Sequence, residues 1–91
     1  MKIVWTRGGV RSLRAIREYI EGDNPIAAQT VAQRIRQSVR QLELFPQAGR
    51  PSLRPGTREI IIAGLPYVVV YRLTGAEVQV IRVFHTKQNR H

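Results

Sequence analysis

Apolar residues Val10, Leu13, Ile16 and Ile20 recur at three- and four-residue steps, which places them on one stripe of an amphipathic helix. Gly22 stands where a helix C-terminal glycine would. The next residues, "DNP" at 23–25, supply an N-cap candidate followed by proline at the first helical position. A second stripe of Ala27, Val31, Ile35, Val39 and Leu42 follows. This second helix is expected to end near Phe45, because Pro46 disfavours helical geometry in the residue before it. Upstream of both, "KIVW" at 2–5 reads as a short strand. Downstream, "PQAGRPSLRPGT" at 46–57 has the prolines and glycines of a loop. Three β-rich runs close the chain: "REIIIA" (58–63), "YVVVYRL" (67–73) and "EVQVIRVF" (77–84), joined by "GLP" and "TGA". The predicted architecture is α+β in the order β-α-α-β-β-β, a single domain over residues 1–91. An antiparallel-rich sheet packs one face on a helix hairpin and leaves the other face partly free.

This strand reading brings three arginines into relation. A turn centred on Leu65 sets Arg58 opposite Arg72, and a turn centred on Gly75 sets Arg72 opposite Val78 and Arg82 opposite Val68. All three arginines then share one face, with Arg72 and Arg82 about 13 Å apart along the strands, at roughly 3.3 Å per residue. By strand parity Glu59 falls on the opposite face, which weakens the case for its neutralising them. A one-residue slip would instead send one arginine to the other side as a solvated edge charge.

Charge makes that cluster more pointed. Fifteen Lys plus Arg against six Asp plus Glu give a formal net charge of +9, and all but two of those cations, Lys2 and Lys87, are Arg. So strong a basic excess on a small chain points to an anionic partner, and the guanidinium is shaped for phosphate and carboxylate. Cysteine is absent, which excludes disulfides and thiolate metal sites, and His85 and His91 alone make no zinc site, so neither a metal nor a cofactor is expected. No apolar run is long enough to span a membrane and nothing resembles a signal peptide, which implies a cytoplasmic protein.

Further candidates flank the strands. Arg50 and Arg54 lie on the proline-stiffened loop and either extend the basic face or merely stay wet. Arg7, Arg11 and Arg14, with Arg17, line the first helix, and Gln29, Gln33, Gln37 and Gln41 form a polar ladder on the second. Each of these fits the solvated side of an amphipathic helix. His85, just after the last apolar run, is the natural acid/base group near the arginines, or else a terminal histidine with no task. Lys87 would need a strongly depressed pKa to serve as a base. Trp5, Tyr67 and Tyr71 either stack on bases or pack in the core.

Taken in order, "RGGVRSLRAIREYI", "DNP", "LELFPQAGRPS", "PGTREI", "GLPYVVVYRL" and "VQVIRVFH" resemble the RelE/ParE-type toxins over nearly the whole chain, closer to the ParE and plasmid-stabilisation branch. The resemblance implies a toxin of a bacterial type II toxin–antitoxin pair, silenced by an acidic ParD-like antitoxin. Such a partner would contact the helix hairpin and basic sheet, with Leu13, Ile16, Arg17, Ile20 and Arg58 as candidate contacts. It also implies one of two targets. A ParE-like member would bind DNA gyrase stoichiometrically and arrest growth, with Arg50, Arg58, Arg72 and Arg82 as target- or anion-binding residues. A RelE-like member would cut mRNA on the ribosome, with Arg72 and Arg82 on the phosphate and His85 as acid/base. The lysine cluster of RelE-type enzymes is missing here, and no tyrosine follows His85. A third reading, a plain nucleic-acid-binding module, rests on charge alone.

Overall fold

The computed structural model describes residues 1–87; His91 and the rest of the tail from 88 onward lie outside the described residues. Strand β1 (Lys2–Trp5) leads into helix α1 (Arg7–Glu21), then α2 (Pro25–Arg40) with a single 3-10 turn over Gln41–Glu43. Strands β2 (Arg50–Pro51), β3 (Thr57–Ile61), β4 (Tyr67–Thr74) and β5 (Glu77–His85) follow. The five strands form one sheet in the order β1-β5-β4-β3-β2. The β1–β5 pair is parallel and the others are antiparallel.

The helix hairpin forms where expected, with details that periodicity did not show. Helix α1 starts at Arg7 because Thr6 caps it, its Oγ1 accepting from the Gly9 N–H at 3.1 Å. Asn24 caps α2 in the same way through the Ala27 N–H at 3.1 Å, with Pro25 as the first helical residue. Gly22 closes α1 in right-handed geometry (φ −57°), so its glycine freedom is not used there. Helix α2 ends at Arg40, before the expected stop near Phe45.

One face of the sheet carries the core. Leu13 of α1 and Ala32, Ile35 and Val39 of α2 pack on Ile62, Tyr67, Val69, Val80 and Val83, and Leu42 joins Tyr71 and Val78. Ile16 and Ile20 are half-buried against this core, whereas Val10 is 43% exposed. The glutamine ladder of α2 is solvated. On the opposite, open face Val68 and Phe84 are also buried, and loop residues Ser52, Leu53 and Arg54 border a hollow over Val70, Ile81 and Phe84.

The proline-rich loop hides strand β2, whose Arg50 and Pro51 pair with Glu59 and Arg58. Proline is tolerated on such an edge strand. Side chains hold the loop down. Tyr71, fully buried, donates its hydroxyl to the Pro46 carbonyl and accepts the Gly49 N–H, each at 2.8 Å. Arg58 Nη1 donates to the Gly49 carbonyl at 2.7 Å. A Cβ on Gly49 would lie 2.6 Å from the Tyr71 Oη, so only glycine fits. Burial raises the Tyr71 phenol above its ordinary pKa, against the opposing influence of the Gly49 N–H and the Arg58 charge.

Candidate functional site

The strand register decides where the arginines point, and it differs from the expected one at both turns. Thr57, not Arg58, stands opposite Arg72, while Arg58 stands opposite Tyr71. Arg72 faces Gln79 rather than Val78, and Arg82 faces Val70 rather than Val68. Both turns centre between two residues instead of on one, and a shift of one residue exchanges the faces. Arg58 therefore leaves the expected cluster for the helix-covered side and becomes a tie to the loop.

Arg72 and Arg82 still share the open face, through a β-bulge. Tyr71 pairs with Val80 and Val70 with Arg82, so Ile81 is the extra residue that restores the alternation. The two arginines are then diagonal neighbours, about 7 Å apart along the strands rather than the expected 13 Å or so, at roughly 3.3 Å per residue. Glu59 lies opposite Val70 and so joins this same face, contrary to the expected parity. Its buried carboxylate takes Arg50 Nε and Nη2 at 3.1 and 2.9 Å and Ser52 Oγ at 3.1 Å. Arg50 is thus committed to Glu59. Arg54 and Arg82 border a hollow of about 390 Å³ on this face, with Ser52, Thr57 and Glu59.

His85 points the other way. It lies opposite Tyr67 on the helix-covered side, the two rings meeting edge to face with centroids 5.3 Å apart. Its Nδ1 accepts the Lys87 N–H at 3.0 Å, so the neutral ring carries its proton on Nε2. A cleft of about 560 Å³ joins His85 and Tyr67 to Ser12, Ile16 and Tyr19 of α1, with Arg82 at its edge. Burial, then the neighbouring Tyr19, raises the Tyr67 phenol above its ordinary pKa. Arg82 borders both clefts, its guanidinium stacked 5.1 Å from the Phe84 ring centroid. Tyr67 and Tyr71 are core residues, and Trp5 packs half-buried against the core.

Residues that build this arrangement escaped the sequence reading. Thr6 Oγ1 donates to the Val80 carbonyl at 2.8 Å, and Ser12 Oγ accepts the Val83 N–H at 2.9 Å while donating to the Gly9 carbonyl at 3.1 Å. A Cβ on Gly9 would come within 2.4 Å of the Val80 oxygen, and one on Gly8 within 2.9 Å of the Ile81 oxygen. The first turn of α1 therefore sits directly on the bulge that aims Arg82. The signal was present as "TRGG", a capping threonine followed by two glycines inside a helix, which marks close backbone approach. Among the candidate partner contacts, Leu13 is buried, Ile16 and Ile20 are half-buried and Arg17 is exposed. Among the described residues no helix is long and apolar enough to cross a membrane, and no group of three His, Cys, Asp or Glu is placed to hold a metal.

The family described as the ParE toxin of type II toxin–antitoxin system, parDE, matches residues 3–90, and the chain belongs to it. The chain is 39% identical to Y4kP of Sinorhizobium fredii, provisionally named a toxin, over 96% of this chain and 90% of that one. It is 33% identical to the toxin RelE2 of Caulobacter vibrioides, over 92% of this chain and 93% of that one. Among solved structures, the chromosomal ParDE TA system from P. aeruginosa matches with a TM-score of 0.85 at 31% identity, covering 93% of this chain and 95% of that one. The protein is a toxin of a ParDE/RelE-type system, and an antitoxin is its partner.

Proposed function

We propose that this toxin acts in the cytoplasm by binding DNA gyrase stoichiometrically and arresting growth, and that an acidic ParD-like antitoxin silences it. One observation carries the choice of target: His85 and Arg72 stand on opposite faces of the sheet. An RNA-cleaving centre needs a proton acceptor within hydrogen-bond reach of the same ribose-phosphate that its cations hold. Here the His85 Nδ1 lone pair already takes a backbone N–H, and Nε2 of the neutral ring is protonated. Arginine does not fill the gap, because it stays protonated in proteins. The lysine content agrees, since no lysine lies between Lys2 and Lys87. Binding requires only the surface, and the open face offers Arg72, Arg82 and Arg54 for it. Purified toxin in micromolar excess is expected to inhibit gyrase supercoiling or trap its cleaved complex, and to leave ribosome-bound mRNA intact. Unchanged gyrase together with cut mRNA would overturn the proposal.

A RelE-like ribonuclease is the second reading, favoured by the one cleft that Arg82 and His85 share. It requires the Lys87 contact to break, freeing Nδ1. Under this reading His85→Gln abolishes toxicity while antitoxin affinity stays the same, and an unaltered growth arrest rejects it.

A further inference from the structure

Two hydroxyls from the start of α1 reach the backbone of β5, one on each side of the bulge. Thr6 Oγ1 donates to the Val80 carbonyl at 2.8 Å, and the Thr6 N–H reaches the same oxygen at 3.1 Å. Ser12 Oγ accepts the Val83 N–H at 2.9 Å. Along a regular strand the N–H and C=O of one residue point to one edge, and those of the next residue to the other. Val80 and Val83 are three residues apart, so in an uninterrupted strand they would address opposite edges. Both address α1 here, because Ile81 is an extra residue between them. The same count fixes the side chains. If β5 ran on regularly from the Val80–Tyr71 pair, Arg82 would stand opposite Val69 and point into the core.

We infer that Ser12 is the positioning residue for Arg82: its hydroxyl pins the strand just beyond the bulge, and with it the guanidinium that meets the target. The inference rests on Arg82 touching the target, which the gyrase and ribonuclease readings share. The cost of burying a charge keeps Arg82 off the core, but it does not fix where on the open face the guanidinium stands. Strand pairing does not fix it from this side either, since β1 accompanies β5 only as far as the Trp5–Val80 pair. Beyond that pair the Ser12 hydroxyl replaces the missing ladder acceptor, and it takes Val83, the residue next to Arg82. Ser12 borders the cleft shared by Arg82 and His85, yet its one proton goes to the Gly9 carbonyl at 3.1 Å. It has nothing to donate to a phosphate or carboxylate there, so its part is played through the backbone.

A double-mutant cycle between Ser12→Ala and Arg82→Ala in the whole toxin tests this. It is read as the graded toxin level that arrests growth, and in parallel as inhibition of gyrase by the purified chain. Ser12→Ala is expected to raise the level needed about fivefold or more, and to add nothing, within about twofold, to Arg82→Ala. Ser12→Thr is expected to restore the parent level within about twofold, because a helical threonine also turns its Oγ1 toward the carbonyl three or four residues back. Amide exchange at Val83 should quicken about tenfold or more in Ser12→Ala and not in Ser12→Thr. An equal loss in both backgrounds means that Ser12 acts on stability alone, which overturns the inference. Full potency of Ser12→Ala or of Arg82→Ala also overturns it, as does a parent chain inactive in both assays. Growth arrest that follows the expected cycle while gyrase is untouched removes the gyrase reading and leaves the inference standing.

Discussion

Tyr71→Phe tests how the loop over the open face is held. The tyrosine is fully buried and its hydroxyl serves two partners, donating to the Pro46 carbonyl and accepting the Gly49 N–H, each at 2.8 Å. Phenylalanine fills the same space, so the change isolates the hydroxyl. Losing the Pro46 bond costs about 1 kcal/mol net, and leaving the buried Gly49 N–H without an acceptor costs a further 1–3 kcal/mol or so. The sum, about 3 kcal/mol, is a large part of the roughly 5–14 kcal/mol that a chain of this size has. In a small domain it lowers Tm by roughly 12–24 °C. Urea and thermal unfolding followed by circular dichroism measure the loss, and amide exchange at Gly49 locates it. Arg58 also grips this segment, through the Gly49 carbonyl at 2.7 Å, so the Tyr71→Phe, Arg58→Ala double change is expected to be non-additive. A loss under about 0.5 kcal/mol, with Gly49 exchange unchanged, would refute the account.

Gly9→Ala forces a Cβ to within 2.4 Å of the Val80 oxygen, so α1 must lift off the bulge. A destabilisation of about 1–3 kcal/mol in urea unfolding is expected, and an unchanged midpoint contradicts the contact. Asn24→Ala removes the cap of α2 and is expected to cost about 1 kcal/mol in the same assay, with Asn24→Ser recovering most of it. Tyr67 and Tyr71 both have folded pKa values above the ordinary tyrosine value of about 10, so their stabilising contribution is complete below that pH and is lost as pH rises through the folded values. Stability measured from pH 9 to 12 should therefore fall, and fall less steeply in Tyr71→Phe; parallel slopes would count against the assignment.

The elements and their order were legible because local chemistry specifies them. The stripe of Ile35, Val39 and Leu42 has one buried solution, and "DNP" ends one helix and starts another within three residues. The open-face arrangement was less legible. Arg82 reached its expected face for a reason other than the expected one, and Arg58 and Glu59 exchanged sides. Strand β2 was hidden because its two residues, Arg50 and Pro51, carry no alternating pattern and are held by Tyr71, Arg58 and Glu59 from elsewhere in the chain.

By itself, then, the sequence determined a helix hairpin and a basic α+β chain, from residues read within a few positions of each other, and its toxin family, from motifs taken in order along the chain. Tertiary structure alone decided which side chains meet. Side chains alternate across a strand with a period of two, so moving a turn's centre by half a residue reverses a whole face, and composition carries no record of it. The bulge at Ile81 undoes one reversal, and it sits beneath Gly8, Gly9 and Ser12, about 70 residues earlier in the chain. Contacts over that separation place Arg82 beside Arg72 and turn His85 away from Arg72.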